Sequence, residues 1–302
     1  MKDKYLSIAI PTRNDDCSLL VSKLLEQARR ETSLDFEILI ADDASDNAEV
    51  ISQLDILSQQ KGCRLIRLKE NVGRAAVRNM LAREAKYERV LFIDAGVDIT
   101  NPNFLHTYIH HADDADIICG GWKTEVDSQT ASSNLRAKYE LSCEQNHTPK
   151  QRNRHPYRSF RTVNFLTHKD ILLKNPLPAD MTGYGYEDVV FGKQTERAGC
   201  TIHHIDNPVV YKSYEDNTAF VSKIMQSVDT LYIYRERIGH YSKLHAFAIK
   251  LRKLRLASLI VLLYRLRSES WKKQLCGNRP SMRILSILKL GYYLSLLGNE
   301  VR

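Results

Sequence analysis

The chain has 302 residues, 43% hydrophobic and 26% charged, with a net charge of +8. That length can bury a substantial core, and the composition excludes disordered and fibrous classes. The six cysteines, at positions 17, 63, 119, 143, 200 and 276, form no C-x-x-C pair. Neither a zinc site nor a disulfide framework is indicated, and they read as reduced thiols.

Taken in order, the first stretch, "MKDKYLSIAIPTRN", has no apolar core of signal-peptide length before Pro11, and no later run reaches roughly 18 apolar residues. A cytosolic chain, peripheral on the inner face of the membrane at most, is the expectation. Strand-length apolar runs follow at "YLSIAI" (5–10), "FEILIA" (36–41), "CRLIRL" (63–68), "RVLFID" (89–94) and "ADIICGGW" (115–122). Between them lie amphipathic stretches such as "LLVSKLLEQA", with Leu20, Leu24, Leu25 and Ala28 at helical spacing. The alternation predicts an α/β fold with a mostly parallel sheet and ligands at the carboxyl ends of its strands.

Those ends decide the chemistry. A dinucleotide-binding turn needs glycines so that backbone amides can approach a pyrophosphate, and "PTRNDD" after the first strand has none. Acid follows the strands instead, in "ADDASDN" and "DAGVD". Carboxylates there can accept hydrogen bonds from a nucleobase or ribose, or with a hard cation hold a diphosphate. The plainer reading is capping, since Asp42, Asp43, Ser45 and Asp46 precede a helix. In "NVGRAAVRN", Arg74 and Arg78 lie four apart on one helix face near its N-terminus, either against an anion or as solvated arginines.

From Lys123 to Arg161 the chain is polar and aperiodic, which predicts a long loop of the kind that forms lids. Its basic cluster "KQRNRHPYR" reads either as meeting an acceptor phosphate or as solvated. "GYGYEDVVFG" then pairs a glycine turn with Glu187 and Asp188 at the start of a helix running to about Gly199, with Tyr184 and Tyr186 offering a sugar-stacking surface. First-turn charge on a helix is the bland alternative. From His240 onward thirteen Lys and Arg face two acids, so this segment carries +11 and residues 1–239 carry −3. "KLHAFAIKLRKLRLASLIVLLYRLRSESWKK" has its longest apolar stretch from Leu256 to Tyr264, too short to span a bilayer. It reads as a basic amphipathic helix on an anionic membrane surface, or as helices packed on the domain or a second subunit. No base-reading module accompanies it, so nucleic acid is not the expected partner.

"SIAIPTRND", "ILIADDASDN", "LKENVGRAAVRNMLAREA" and "VLFIDAGVDI", in this order, resemble the family-2 glycosyltransferases of the GT-A fold. "VNFLTHKDILLKNPLPADMTGYGYEDVVFGKQTERAG" is similar to their acceptor half. "IDNPVVYKSYEDNTAFVSK" and "SMRILSILKLGYYLSLL" resemble the closing segments of a bacterial branch that builds surface polysaccharide.

The resemblance implies a GT-A domain over 1–239, with a nucleotide half to 122 and an acceptor half carrying the lid loop at about 123–160, then a basic helical extension over 240–302. It implies inverting transfer of a sugar from a nucleotide-diphosphate donor, a UDP-sugar being favoured, to a hydroxyl of a lipid-linked or growing polysaccharide at the inner face of the membrane. Pro11 and Thr12 would lie against the nucleobase, with Asp43 and Asp42 at its edge. Asp94 would reach the ribose or a metal, and Arg74 or Arg78 the base or diphosphate. Asp188 would be the general base and Glu187 would orient the acceptor, against Gly183, Tyr184, Gly185 and Tyr186.

Two departures touch one function. Asp94, Ala95 and Gly96 stand where the family usually shows Asp-x-Asp, and Val210, Tyr211 and Lys212 stand where it often places a histidine. Three accounts follow. Asp98 with His203 or His204 completes a Mn or Mg site; or Lys212 with Arg74, Arg78 or Arg13 replaces the metal charge; or activity is lost and a nucleotide-sugar binding or partner-holding protein remains.

Overall fold

The computed structural model describes residues 4–31 and 33–298. Strands and helices alternate at first: β1 (Lys4–Thr12), α1 (Ser18–Arg30), β2 (Leu34–Asp42), α2 (Ala48–Ser58), β3 (Cys63–Arg67), α3 (Arg74–Glu84) and β4 (Arg89–Ile93). Next come α4 (Phe104–His110), β5 (Ile117–Cys119), β6 (Trp122–Thr124), α5 (Ser128–Ser133), α6 (Leu135–Glu144) and α7 (Pro149–Arg152). They are followed by β7 (Asn164–His168), α8 (Lys169–Lys174), α9 (Glu187–Arg197), β8 (Ile202–His204) and β9 (Val209–Tyr211). The chain closes with α10 (Asn217–Ile233), α11 (Arg235–Ile238), α12 (Lys243–Lys253), α13 (Ala257–Cys276) and α14 (Met282–Gly298).

Seven strands form one sheet in the order β3-β2-β1-β4-β7-β5-β8. β7 runs antiparallel to both its neighbours, β4 and β5, while the remaining pairings are parallel. The runs that become central strands are continuous because both faces are covered. Ile8 and Ile10 share a core with Leu20, Val21 and Leu24 of α1. Ala9 and Phe92 share the opposite core with Val77 and Leu81 of α3.

"ADIICGGW" is not one strand. It divides at Gly120 and Gly121, and β6 leaves the large sheet to pair with β9. Gly121 has φ +84°, and a Cβ there would stand 2.7 Å from the guanidinium of Arg152. Arg152 is buried and donates to the carbonyls of Cys119 (3.3 Å), Gly120 (3.2 Å) and Ile205 (2.9 Å). The basic cluster "KQRNRHPYR" is thus partly structural: this arginine satisfies the carbonyls where two strands diverge and is not placed to meet a phosphate.

Residues 123–160 do not form the expected long loop, because α5, α6 and α7 occupy much of the stretch. Their N-caps are Asp127, Asn134 and Thr148, the last in a reciprocal pair with Gln151. Helices this short carry little apolar periodicity, and α5 buries no residue, so the pattern reads as aperiodic.

The chain divides into two compact units. One holds the described residues through Glu125, with His147–Ala179 and Phe191–Lys212; the other holds Val126–Asn146, Asp180–Val190 and the described residues from Ser213 onward. The expected boundary at residue 239 falls inside the second unit, where Ile238, Ala248 and Leu251 share a core with Val228, Leu231 and Tyr293. Residues 1–3 and 299–302 of the expected domains lie outside the described residues.

Arg152→Met is expected to lower stability by about 3 kcal/mol, because truncation leaves buried carbonyls unpaired. Urea unfolding followed by circular dichroism measures this, and an unchanged midpoint would contradict the structural role.

Candidate active site

The first unit gathers the loops at the carboxyl end of the sheet. β1 ends at Thr12, whose Oγ1 donates to the carbonyl of Asp15 at 2.7 Å. Pro11 precedes it within the strand, and Arg13 is exposed in the loop that follows. Asn14 has φ +58°, a left-handed conformation that asparagine tolerates. Its amide oxygen accepts from the backbone of Asp46 and Asn47, and its amide nitrogen donates to the Asp46 carboxylate at 2.8 Å. The loops after β1 and β2 are therefore stitched together.

Asp42 and Asp43 do not cap α2. That cap is Asn47, which accepts from the amides of Glu49 and Val50. Asp42 is fully buried, accepts from Ser45 N at 2.9 Å and pairs with Arg67 at 3.2 Å. The Asp43 carboxylate accepts from the amides of Val72 (2.7 Å) and Gly73 (3.0 Å), fixing the turn that opens α3.

Arg74 is the exposed first residue of α3, whereas Arg78 is 2% exposed. The solvated reading therefore fails for Arg78, whose guanidinium donates to the Arg74 carbonyl at 3.0 Å and forms an ion pair with Asp94 at the end of β4. Four residues on, buried Asp98 lies between two ammonium groups, Lys23 Nζ at 2.5 Å and Lys212 Nζ at 2.9 Å. Burial pushes its carboxyl up, but the two lysines and the Ile99 amide outweigh burial and hold it below the usual range. The backbone of Asp98 exchanges hydrogen bonds with Val210, which brings Lys212 alongside.

The residues named for a metal do not assemble. His204 is buried with both ring nitrogens committed. Nδ1 lies 3.1 Å from Arg152 Nη1, which can only donate, so Nε2 carries the proton and donates to the Pro156 carbonyl at 3.0 Å. Burial pushes its imidazole down to about 3. His203 lies on β8, three strand spacings, roughly 14 Å, along the sheet from the β4 strand that delivers Asp94. Asp98 is held by its lysines. At Gly96 an added Cβ would stand 3.7 Å from the Asp15 carboxylate, so an aspartate there would face another acid. Among the described residues no group of three or more His, Cys, Asp or Glu is placed to hold a metal ion. These side chains do not fit a divalent cation on the Asp-x-Asp pattern.

The second unit builds the other candidate group. Gly183 (φ +102°), Gly185 (φ +86°) and Tyr186 (φ +72°) are all left-handed. For a tyrosine that conformation costs energy, and such outliers cluster at functional sites. A Cβ on Gly183 would stand 2.5 Å from Thr230 Oγ1, so only glycine fits. The turn delivers Glu187 and Asp188, both half-buried, as the first residues of α9. Tyr184 lies beside Lys223, whose Nζ is 5.8 Å from its ring centre.

Comparison with known proteins places the chain in a family. The profile described as "Glycosyl transferase family 2" matches residues 7–169, more than half of the chain. The chain belongs to glycosyl transferase family 2. It is similar to a dolichyl-phosphate beta-glucosyltransferase of Dictyostelium discoideum, 26% identical over 136 residues covering 41% of this chain and 42% of that protein. It is also similar to a chondroitin synthase of Pasteurella multocida, 26% identical over 241 residues, 70% of this chain and 25% of that one. The chain thus spans less than half of the length of either relative.

Two solved structures share the GT-A fold. TarS residues 1–349 of S. aureus in complex with UDP align at TM-score 0.53 and 15% identity, covering 99% of this chain and 91% of that one. The mannosyltransferase PcManGT of Pyrobaculum calidifontis in complex with GDP-Man and Mn2+ aligns at TM-score 0.57 and 14% identity, covering 98% and 86%.

Within this family 2 chain, the structure brings Asp94 to Arg78 and Asp98 to Lys212, keeps Glu187 and Asp188 adjacent behind their glycine turn, and leaves the histidines elsewhere. Lys23 and Asn14 also belong to this edge of the sheet. Lys23 reads as an ordinary polar position on α1, whereas Asn14, in a turn-forming stretch, carried a usable signal.

His204 supplies a pH test. It stays neutral in the folded state down to about pH 3 while an unfolded histidine protonates near 6.5, so the unfolded chain binds the extra proton. Stability is therefore expected to fall as pH drops below about 6.5, by about 1.4 kcal/mol per unit from this group. Urea unfolding between pH 7 and pH 4.5 should show the slope in the natural chain and a shallower one in His204→Asn, the remainder coming from His245 and the paired carboxylates.

Proposed function

We propose that this chain transfers a glycosyl group, with inversion, from a nucleoside diphosphate sugar to an acceptor hydroxyl. The observation that carries the reading is the strained turn Gly183–Tyr186 presenting Glu187 and Asp188 at the start of α9. Asp188 takes the acceptor proton as the hydroxyl oxygen attacks the anomeric carbon, Glu187 orients the acceptor, and the bond from that carbon to the diphosphate breaks. Pro11, Thr12 and Asp43 frame the base, with buried Asp42 behind them, held by Ser45 and Arg67. Tyr184 and Tyr186 give the sugar an aromatic surface. A UDP-sugar is favoured, and the relatives' names point to lipid-linked or polysaccharide acceptors.

The charge on the departing diphosphate is met by Lys212 with Arg74, rather than by a metal on Asp94. Supporting this are the ion pair that occupies Asp94 and the exposed position of the Lys212 ammonium, held beside Asp98 at 2.9 Å.

Asp188→Asn is expected to lower turnover by about 100-fold or more, the scale of lost general-base catalysis, with UDP affinity by calorimetry unchanged. Normal turnover would remove the assignment. Lys212→Met should cost turnover on a similar scale, roughly 100-fold, and EDTA should leave the natural chain active. Activity abolished by EDTA and restored by Mn would overturn the lysine account.

A further inference from the structure

The helix α13 is apolar on two opposite faces. One face, with Ala257, Ile260, Val261, Tyr264 and Leu275, packs into the second unit's cores, where α14 buries Leu285, Leu288 and Leu294. The other face carries Leu259, Leu262, Leu263 and Leu266 at i, i+3, i+4 and i+7, the spacing of a single helical stripe. All four are exposed, Leu259 by 58% and Leu266 by 70%. The α12–α13 connection extends the stripe with Leu254, 57% exposed, and Leu256, while Phe247 of α12 is exposed as well.

Basic side chains border this surface. At 100° per residue, Arg265 and Arg267 fall on opposite sides of the leucine stripe. Lys250, Arg252, Lys253 and Arg255 are exposed around Leu254 and Leu256, and Glu269 is the one acid between residues 250 and 273. A contiguous apolar patch of this kind marks an interaction surface. A second copy of the chain would set one basic border against another, which like charges oppose. No described helix is long and apolar enough to cross a membrane.

We propose that the outer face of α13 and the α12–α13 connection dock in the plane of an anionic lipid bilayer, the leucines entering the acyl boundary and the Lys and Arg meeting lipid phosphates. This is the geometry of an interfacial helix, with apolar burial and attraction to acidic headgroups acting together. It excludes α14, which is committed to the interior.

Flotation of the full chain with vesicles tests it, using phosphatidylcholine alone and an equal mixture with phosphatidylglycerol. Binding to the mixture, weak binding to the neutral vesicles and release by high salt are expected. The double variant Leu259→Asp and Leu266→Asp should bind the mixture at least roughly tenfold more weakly, given the apolar area withdrawn. Its urea midpoint should match the natural chain, because both side chains are exposed. No binding to anionic vesicles, or binding indifferent to the double variant, overturns the proposal. So does a dimer by light scattering that the same variant dissociates, since a second copy would then cover the face.

Discussion

A buried carboxylate is costly unless something nearby carries the opposite charge or donates hydrogen bonds to it, and the carboxyl end of the large sheet concentrates several of them. Parallel strands deliver their following loops to one edge, so the acids ending β2 and β4 arrive together. Each is answered. Arg67 meets Asp42, two amides at the start of α3 meet Asp43, Arg78 meets Asp94, and Lys23 and Lys212 meet Asp98. Compensation by cations and amides organises this edge. It also fixes the turn before α3 and ties the stretch after β4 to β9. Removing one partner from such a pair costs more than the pair contributes, because the survivor stays buried and charged.

The architecture was legible where burial is two-sided and long. β1, β2 and β4 match their apolar runs, since Ile8, Ile38 and Leu91 are buried in a sheet covered on both faces, while β3 matches its run at the sheet edge with no residue fully buried. Legibility failed where pairing is remote or elements are short. Nothing local in "VNFLTHKD" marks β7 as the antiparallel insertion between β4 and β5, because that placement depends on partners from distant parts of the chain. The helices α5 to α7 leave no periodic signal because capping, rather than an apolar stripe, defines them. At the site, the acids were visible but their partners were not. The Arg78–Asp94 pair joins a helix to a strand, and Lys23 reaches Asp98 from α1. The glycines at 183 and 185 signalled a turn; the left-handed Tyr186 carries no mark in the sequence.

The segment after residue 239 shows why its two sequence readings were hard to separate. The reading as packed helices describes α14 and one face of α13. α14 is interior to the second unit, while α13 is interior on one face and exposed on the other. A helix with two apolar faces gives no single amphipathic direction, so periodicity alone cannot assign it to core or surface.

The insertion of β7 has a consequence for how the chain reaches this state. β5 and β4 are both made early, yet they have no hydrogen bonds to each other, and each waits for the strand at Asn164–His168 that fills the gap. Until the ribosome has released that segment, β4 offers unpaired backbone N–H and C=O groups along a mostly apolar strand, the kind of edge on which nascent chains associate wrongly. Closure of the sheet is thereby a late, long-range event, and any truncation before Asn164 would leave β4 without its neighbour.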